Sequence, residues 1–171
     1  DIYVTFANTG KEAPETLDFV HEVEQKWGVK IYWLELYFGE ERPVYRTKIV
    51  DYETASRNGE PFEALLDRRK YLPNPVTRFC TSELKIKVMS RFMRKLQGYK
   101  NWYNVIGLRY DEPRRVASAL KQYEAWTNIT PMNDAKHTVE DVSEFWRKQN
   151  FDLKLTNANG KTPAGNCDLC F

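Results

Sequence analysis

The chain has 171 residues, enough to bury a full hydrophobic core, and its 42% hydrophobic and 29% charged content is ordinary for a globular protein. A net charge of only +2 does not mark a nucleic-acid binder. The apolar runs, such as Ile31-Tyr-Trp-Leu, are too short to span a bilayer, so no membrane association is expected.

The first residues, Asp1-Ile-Tyr-Val-Thr-Phe-Ala, are β-branched and aromatic and predict a buried strand. Asn8-Thr-Gly-Lys-Glu reads as a turn. Pro14 suits a first helical turn, Leu17, Val20, Val23 and Trp27 recur at helical spacing, and Gly28 ends the helix. A second strand is expected over 29–38 and a third over 44–50. A short helix is expected over 62–70, closed by Pro73 and Pro75. A longer helix over 82–96 carries Leu84, Val88, Phe92 and Leu96 on one stripe.

Residues 102–109 predict another strand, with 110–115 a charged loop. Thr138 caps a last helix whose apolar side is Val139, Val142, Phe145 and Trp146. The tail over 152–171 is aperiodic at first and then bears two cysteines. Alternating strands and helices predict a single α/β domain over 1–171, layered around a largely parallel sheet.

In such sheets ligands sit at the carboxyl ends of strands. Three loops there carry distinctive residues. Asn8-Thr9-Gly10 leads into a helix start, with its exposed backbone N–H groups. Arg78-Phe-Cys80-Thr-Ser-Glu-Leu-Lys85 opens the long helix. Gly107-Leu-Arg109-Tyr-Asp-Glu-Pro-Arg-Arg115 leaves the fourth strand. Together these suggest a ligand bearing phosphate or sulfate, although each taken singly reads first as a turn or a solvated face. His21 reads as a polar-face residue of its helix and His137 as a residue preceding a cap. The basic run Lys85, Lys87, Arg91, Arg94 and Lys95 reads as a solvated face or, alternatively, as a guide for a nucleic-acid backbone, without visible interleaved stacking platforms, since the one aromatic within it, Phe92, falls on the apolar stripe.

Cys80, Cys167 and Cys170 are the only cysteines. An odd count without a secretory leader points to a reducing, cytoplasmic setting. Cys167-Asp-Leu-Cys170 is a C-x-x-C that can turn both thiolates toward one metal, and Cys80 lies at an expected helix start, which favours thiolate. A redox pair, or simple buried thiols, are the other readings of the same residues.

These segments resemble the phosphoadenosine-phosphosulfate (PAPS) reductase family. Asn8-Thr-Gly-Lys-Glu-Ala-Pro-Glu-Thr16 resembles its Asp-Thr-Gly…Pro-Glu-Thr motif, and Cys80-Thr-Ser-Glu-Leu-Lys85 its Cys-Cys-x-x-Arg-Lys segment. Gly107-Leu-Arg109…Glu112…Arg115 is similar to Gly-x-Arg…Gln…Arg, and Gly165-Asn-Cys167-Asp-Leu-Cys170 to Gly-Cys-x-x-Cys. Thr130-Pro-Met-Asn-Asp with Val139-Glu-Asp-Val142 resembles the segment between them.

The resemblance implies an adenine nucleotide α-hydrolase-like fold and an adenine nucleotide (ATP or a sulfonucleotide) held by Asn8, Thr9, Gly10, Gly107 and Arg109. It implies phosphate or sulfate contacts from Lys85, Arg109 and Arg115. It further implies that Cys80, Cys167 and Cys170 hold a [4Fe–4S] cluster, or zinc with a fourth ligand such as His137 or water. The expected activity is sulfonucleotide reduction or adenylation-dependent sulfur transfer, with a thiol reductant or a nucleic-acid sulfur acceptor as possible partners. The alternative is a non-catalytic nucleotide-binding module with a structural zinc.

Two family features are missing from these residues. The Ser-Gly-Gly-Lys pyrophosphate loop, with its strand and helix, would precede the first strand read here, and no Gly-Gly pair occurs in the sequence. The reductases' Glu-Cys-Gly-x-His thiol motif is also missing, so no catalytic residue is assigned.

Overall fold

The computed structural model describes residues 1–42, 44–121, 124–158, 162 and 167. Within the span that the sequence assigns to one domain, the backbone gathers into two compact units. One comprises Asp1–Gln97 and Leu153–Thr156, and the other is built on Gly98–Asp152. The architecture is mixed α/β, as expected.

The first unit is organised by β2 (Ile31–Phe38). It pairs in parallel with β1 (Val4–Ala7) and antiparallel with β3 (Tyr45–Val50), giving the order β1-β2-β3. Side chains alternate across a strand, so its largely apolar run serves two faces. Leu34 and Leu36 enter one core with Phe62 and Leu65 of α2 (Glu60–Arg69) and with Leu84, Val88 and Phe92. Ile31 and Trp33 enter a second core with Leu17 of α1 (Pro14–Trp27) and Ala55. Proline at the first position and left-handed Gly28 just past the end bound α1 as the sequence predicts.

The long helix is less regular than its stripe suggests. It consists of a π-helical turn, Thr81–Ile86, then α3 (Lys87–Arg91), then a second π-helical turn, Phe92–Leu96. The five-residue spacing is explicit where the Gln97 N–H donates to the Phe92 carbonyl at 3.1 Å. Leu84, Val88 and Phe92 are buried as expected, whereas Leu96 is half-exposed at the end of the stripe.

In the second unit β4 (Trp102–Val105) and β5 (Trp126–Ile129) form a parallel pair, with Trp102 stacked on Trp126. The fourth strand is shorter than the expected 102–109. Residues 107–109 lie in the loop beyond it, and α4 (Pro113–Leu120) starts inside the segment expected to be a charged loop. The short α5 (Pro131–Asp134) precedes α6 (Val139–Arg147). Thr138 caps α6 in a reciprocal box with Asp141, whose carboxylate accepts from both the Thr138 N–H and its hydroxyl.

Candidate functional site

The β1–α1 loop is built on buried polar residues. The Asn8 N–H extends the parallel ladder by donating to the Leu34 carbonyl at 2.9 Å, and the Asn8 side chain is closed off from solvent. Its amide donates to Glu35 Oε1 at 2.7 Å and to the Ser56 carbonyl at 2.8 Å, while its Oδ1 accepts from the Gly10 N–H at 3.0 Å. The side chain expected to meet a base or ribose is therefore committed within the protein, where it braces the loop.

Glu35 is the centre of this bracing. It interrupts the apolar run of β2 with a carboxylate that is 0% exposed. Besides Asn8, it accepts from the Ser56 N–H at 2.7 Å and the Ser56 hydroxyl at 2.9 Å, and Lys48 Nζ lies 2.9 Å from Oε2. A buried carboxylate needs this degree of compensation.

Thr9 is equally enclosed. Its N–H and hydroxyl both donate to Glu12 at 2.9 Å, the geometry that the Thr-x-x-Glu spacing favours. Lys85, from the long helix, approaches the same Glu12 carboxylate at 3.6 Å. Two expected site residues, Thr9 and Lys85, thus meet on Glu12, a residue that the sequence reading did not single out although its spacing from Thr9 marked it.

Gly10 has φ +78°, and a Cβ there would lie 3.0 Å from Gly59 Cα and 3.0 Å from Pro61 Cδ. Both the backbone angle and the close approach require glycine. Lys11 reaches across Gly59 toward Glu63, at 3.6 Å. The loop is a tight, preformed turn at the carboxyl end of β1.

Cys80 immediately precedes the first π-helical turn and is half-buried against the core formed by Leu34, Leu84 and their neighbours. Cys167 is half-buried as well, and Cys170 lies outside the described residues. Among the described residues no three His, Cys, Asp or Glu side chains form a metal-binding group. Three thiols are a donor set suited to an iron–sulfur cluster or to zinc with one further ligand.

In the second unit, Gly107-Leu108-Arg109 leaves the carboxyl end of β4. A Cβ on Gly107 would make only an ordinary 3.7 Å contact with Met132 Sδ, so no close packing demands glycine there. Arg109 Nε donates to Asp111 at 2.9 Å, and its Nη1 lies 3.5 Å from Glu112. Glu112 also accepts from the Arg109 N–H at 3.1 Å and pairs with Arg115. The two arginines expected to grip an anion therefore converge on one carboxylate. The hydrogen bond from Arg109 holds the Asp111 carboxyl below the usual range.

His137 is exposed, with Nδ1 4.0 Å from Asp141, and its carbonyl accepts from the Tyr110 N–H. His21 is half-buried and stacked on Tyr52 at 4.3 Å. No helix among the described residues is long and apolar enough to cross a membrane.

No model of a known protein family matches the chain. The chain is 29% identical, over 177 aligned residues, to a protein of Escherichia phage lambda described as "Uncharacterized nin region protein ORF290". The match takes in 99% of this chain and 56% of the phage protein, so the chain spans about half the length of the curated relative that it matches.

Proposed function

We propose that the chain is a PAPS-reductase-like, adenine-nucleotide-binding protein of sulfur chemistry, cytoplasmic, with the layered, mostly parallel sheet of adenine nucleotide α-hydrolases. The observation that carries this reading is the β1–α1 loop. At the position of the family's Asp-Thr-Gly motif, Gly10 adopts a left-handed backbone against Gly59, and buried Asn8 and Thr9 hold the turn rigid. A backbone so preformed can approach a ribose or phosphate with little further ordering, which favours binding. Asn8 acts by positioning, while the N–H groups of the turn and Lys85 are the groups nearest to hand. The resemblance assigns further nucleotide and anion contacts to Gly107, Arg109 and Arg115, and Arg109 would be released from Asp111 when an anion takes its fork.

Cys80, Cys167 and Cys170 would hold the [4Fe–4S] cluster or, in the alternative, zinc. The cluster would supply an iron open to a sulfur ligand. The reactions that fit are sulfonucleotide reduction with a thiol reductant and adenylation-dependent sulfur transfer. A non-catalytic nucleotide-binding module with structural zinc is the second reading.

Anaerobic purification with iron, sulfide and zinc analysis separates the two metals, and calorimetry with ATP and with adenosine phosphosulfates tests the nucleotide. Sulfide with iron, lost together in Cys80→Ser, is the expected result. Failure of every adenine nucleotide to bind the full-length protein would overturn the reading.

A further inference from the structure

A second concave site lies in the first unit, between the start of β3 and the end of the long helix. It is a cavity of ≈ 280 Å³, and none of its seven lining residues is acidic. Its polar walls are Arg46 and Thr47 from β3 and Arg91 and Lys95 from the helix, with Tyr37 and Leu96 among its apolar walls. The volume is near the lower end of the roughly 300–1,000 Å³ typical of small-molecule sites.

The cations that concern the cavity are Arg91 and Lys95, because Arg46 is engaged elsewhere, donating to the Glu41 carbonyl at 3.1 Å. Arg91 is about half buried, and burial pushes its guanidinium down. Its Nε donates to the Thr47 hydroxyl at 3.3 Å, and its Nη2 to the Glu83 carbonyl at 3.4 Å. The Glu83 carboxylate is already occupied by Arg69 at 2.7 Å and Lys87 at 2.9 Å. Among the described residues neither Arg91 nor Lys95 has a carboxylate within ion-pairing distance. A partly desolvated guanidinium with two neutral acceptors and a second cation beside it calls for an anion.

An aromatic face accompanies the charge. Tyr37 is 37% exposed and belongs to no aromatic pair among the described residues. The sequence kept this hidden, because Tyr37 comes from β2 and the cations from a helix some fifty residues later. Lys95 and Leu96 also sit on the second π-helical turn, a distortion frequent at functional sites.

We infer that this cavity binds one nucleotide unit, with its phosphate against Arg91 and Lys95 and its base on the ring of Tyr37. The site is separate from the β1–α1 loop and does not rest on the adenine reading. Thymidine probes are therefore chosen to keep the two apart. Free thymidine monophosphate and a short fluorescein-labelled oligothymidylate present the same group from two sources, a metabolite and a single strand.

The test is calorimetry with the monophosphate and fluorescence anisotropy with the labelled strand, on the full chain and its Tyr37→Ala, Lys95→Gln and Arg91→Gln variants. At least one probe should bind, and which one identifies the source. Tyr37→Ala should weaken binding about tenfold, the scale of one lost stacking contact. For the strand, Lys95→Gln should reduce the salt-dependence slope by about one. Because Arg91 also braces β3 through Thr47, its variant can lose the fold, and the two more exposed positions carry the test. Binding of neither probe, unchanged affinity in Tyr37→Ala and Lys95→Gln, or displacement by inorganic phosphate as effective as by the monophosphate would overturn the assignment.

Discussion

The Asn8 carboxamide donates to the Glu35 carboxylate at 2.7 Å, and both side chains are fully buried. The Asp-Thr-Gly motif that this loop resembles carries aspartate where this chain has Asn8. An aspartate here would face Glu35 with a second carboxylate and no proton between them. The amide supplies the donor that the site requires, so this departure from the motif and the buried glutamate are physically coupled.

Asn8→Ala should destabilise the protein by about 1–3 kcal/mol, since it strips a buried carboxylate of a donor. Asn8→Asp should be worse at neutral pH, because two buried carboxylates at hydrogen-bond distance cannot both ionise without cost. Its deficit should be smaller at about pH 4 than at neutral pH, because protonation of the introduced aspartate removes the repulsion. Urea melts of the two variants against the parent at both pH values check the order and its change. An Asn8→Asp deficit independent of pH would mean that the loop tolerates the charge by moving.

Gly10 and Gly107, the two glycines expected to meet a nucleotide, should respond differently to alanine. Gly10→Ala meets Gly59 Cα and Pro61 Cδ at 3.0 Å from a left-handed backbone, and a loss of about 1–3 kcal/mol is expected. Gly107→Ala finds open space and an ordinary contact, so its stability should stay within about 0.5 kcal/mol of the parent. Thermal melts of the two proteins make the comparison. A Gly107→Ala variant that folds normally but binds nucleotide less tightly would locate the need for that glycine in the ligand.

The well-punctuated elements were legible in the sequence. Pro14 and Gly28 bounded α1, and Thr138 began α6, because caps are local chemistry. β5 was missed: four residues hold too little pattern to stand out, and the parallel partner that fixes them, β4, is distant in sequence. The start of α4 at Pro113 reads as loop in the sequence because its first turn is charged. Glu35 could have been found, since a lone acid inside Trp33-Leu-Glu-Leu36 signals a buried, compensated carboxylate. Tyr37 beside Arg91 could not, because only the tertiary fold brings β2 and the long helix to one cavity.

The α6 cap predicts a pH response. Hydrogen bonds from the Thr138 N–H, first, and then from its hydroxyl hold the Asp141 carboxyl below its ordinary value. A depressed folded value means that the stabilisation is fully present above the unfolded value of about 3.9 and is lost as pH falls through the folded one. The helix start should therefore fray only in acid below about pH 4. Amide exchange at Val142, whose N–H donates to the Thr138 carbonyl, reports it. Asp141→Ala should show the frayed exchange rate already at neutral pH.

Arg109 offers the most direct test of the anion site, because its guanidinium has a competitor at hand. Asp111 accepts from Nε at 2.9 Å and Glu112 lies 3.5 Å from Nη1, so an incoming phosphate or sulfate competes with both carboxylates for the fork. Asp111→Asn keeps the size of the side chain and removes its charge. It should raise affinity for a sulfonucleotide, whereas Arg109→Ala should lower it by about 1–3 kcal/mol, the scale of a charge-assisted bond. Arg109→Lys retains the charge without the fork and should fall between the parent and alanine. The Asp111 carboxyl sits below its ordinary value because Arg109 bonds to it, so the parent should gain affinity only below about pH 4, as that carboxyl takes up a proton. Asp111→Asn should lack this gain. Calorimetric titration of the four proteins across that range gives the comparison. Equal affinities in the parent and in Arg109→Ala would remove Arg109 from the site.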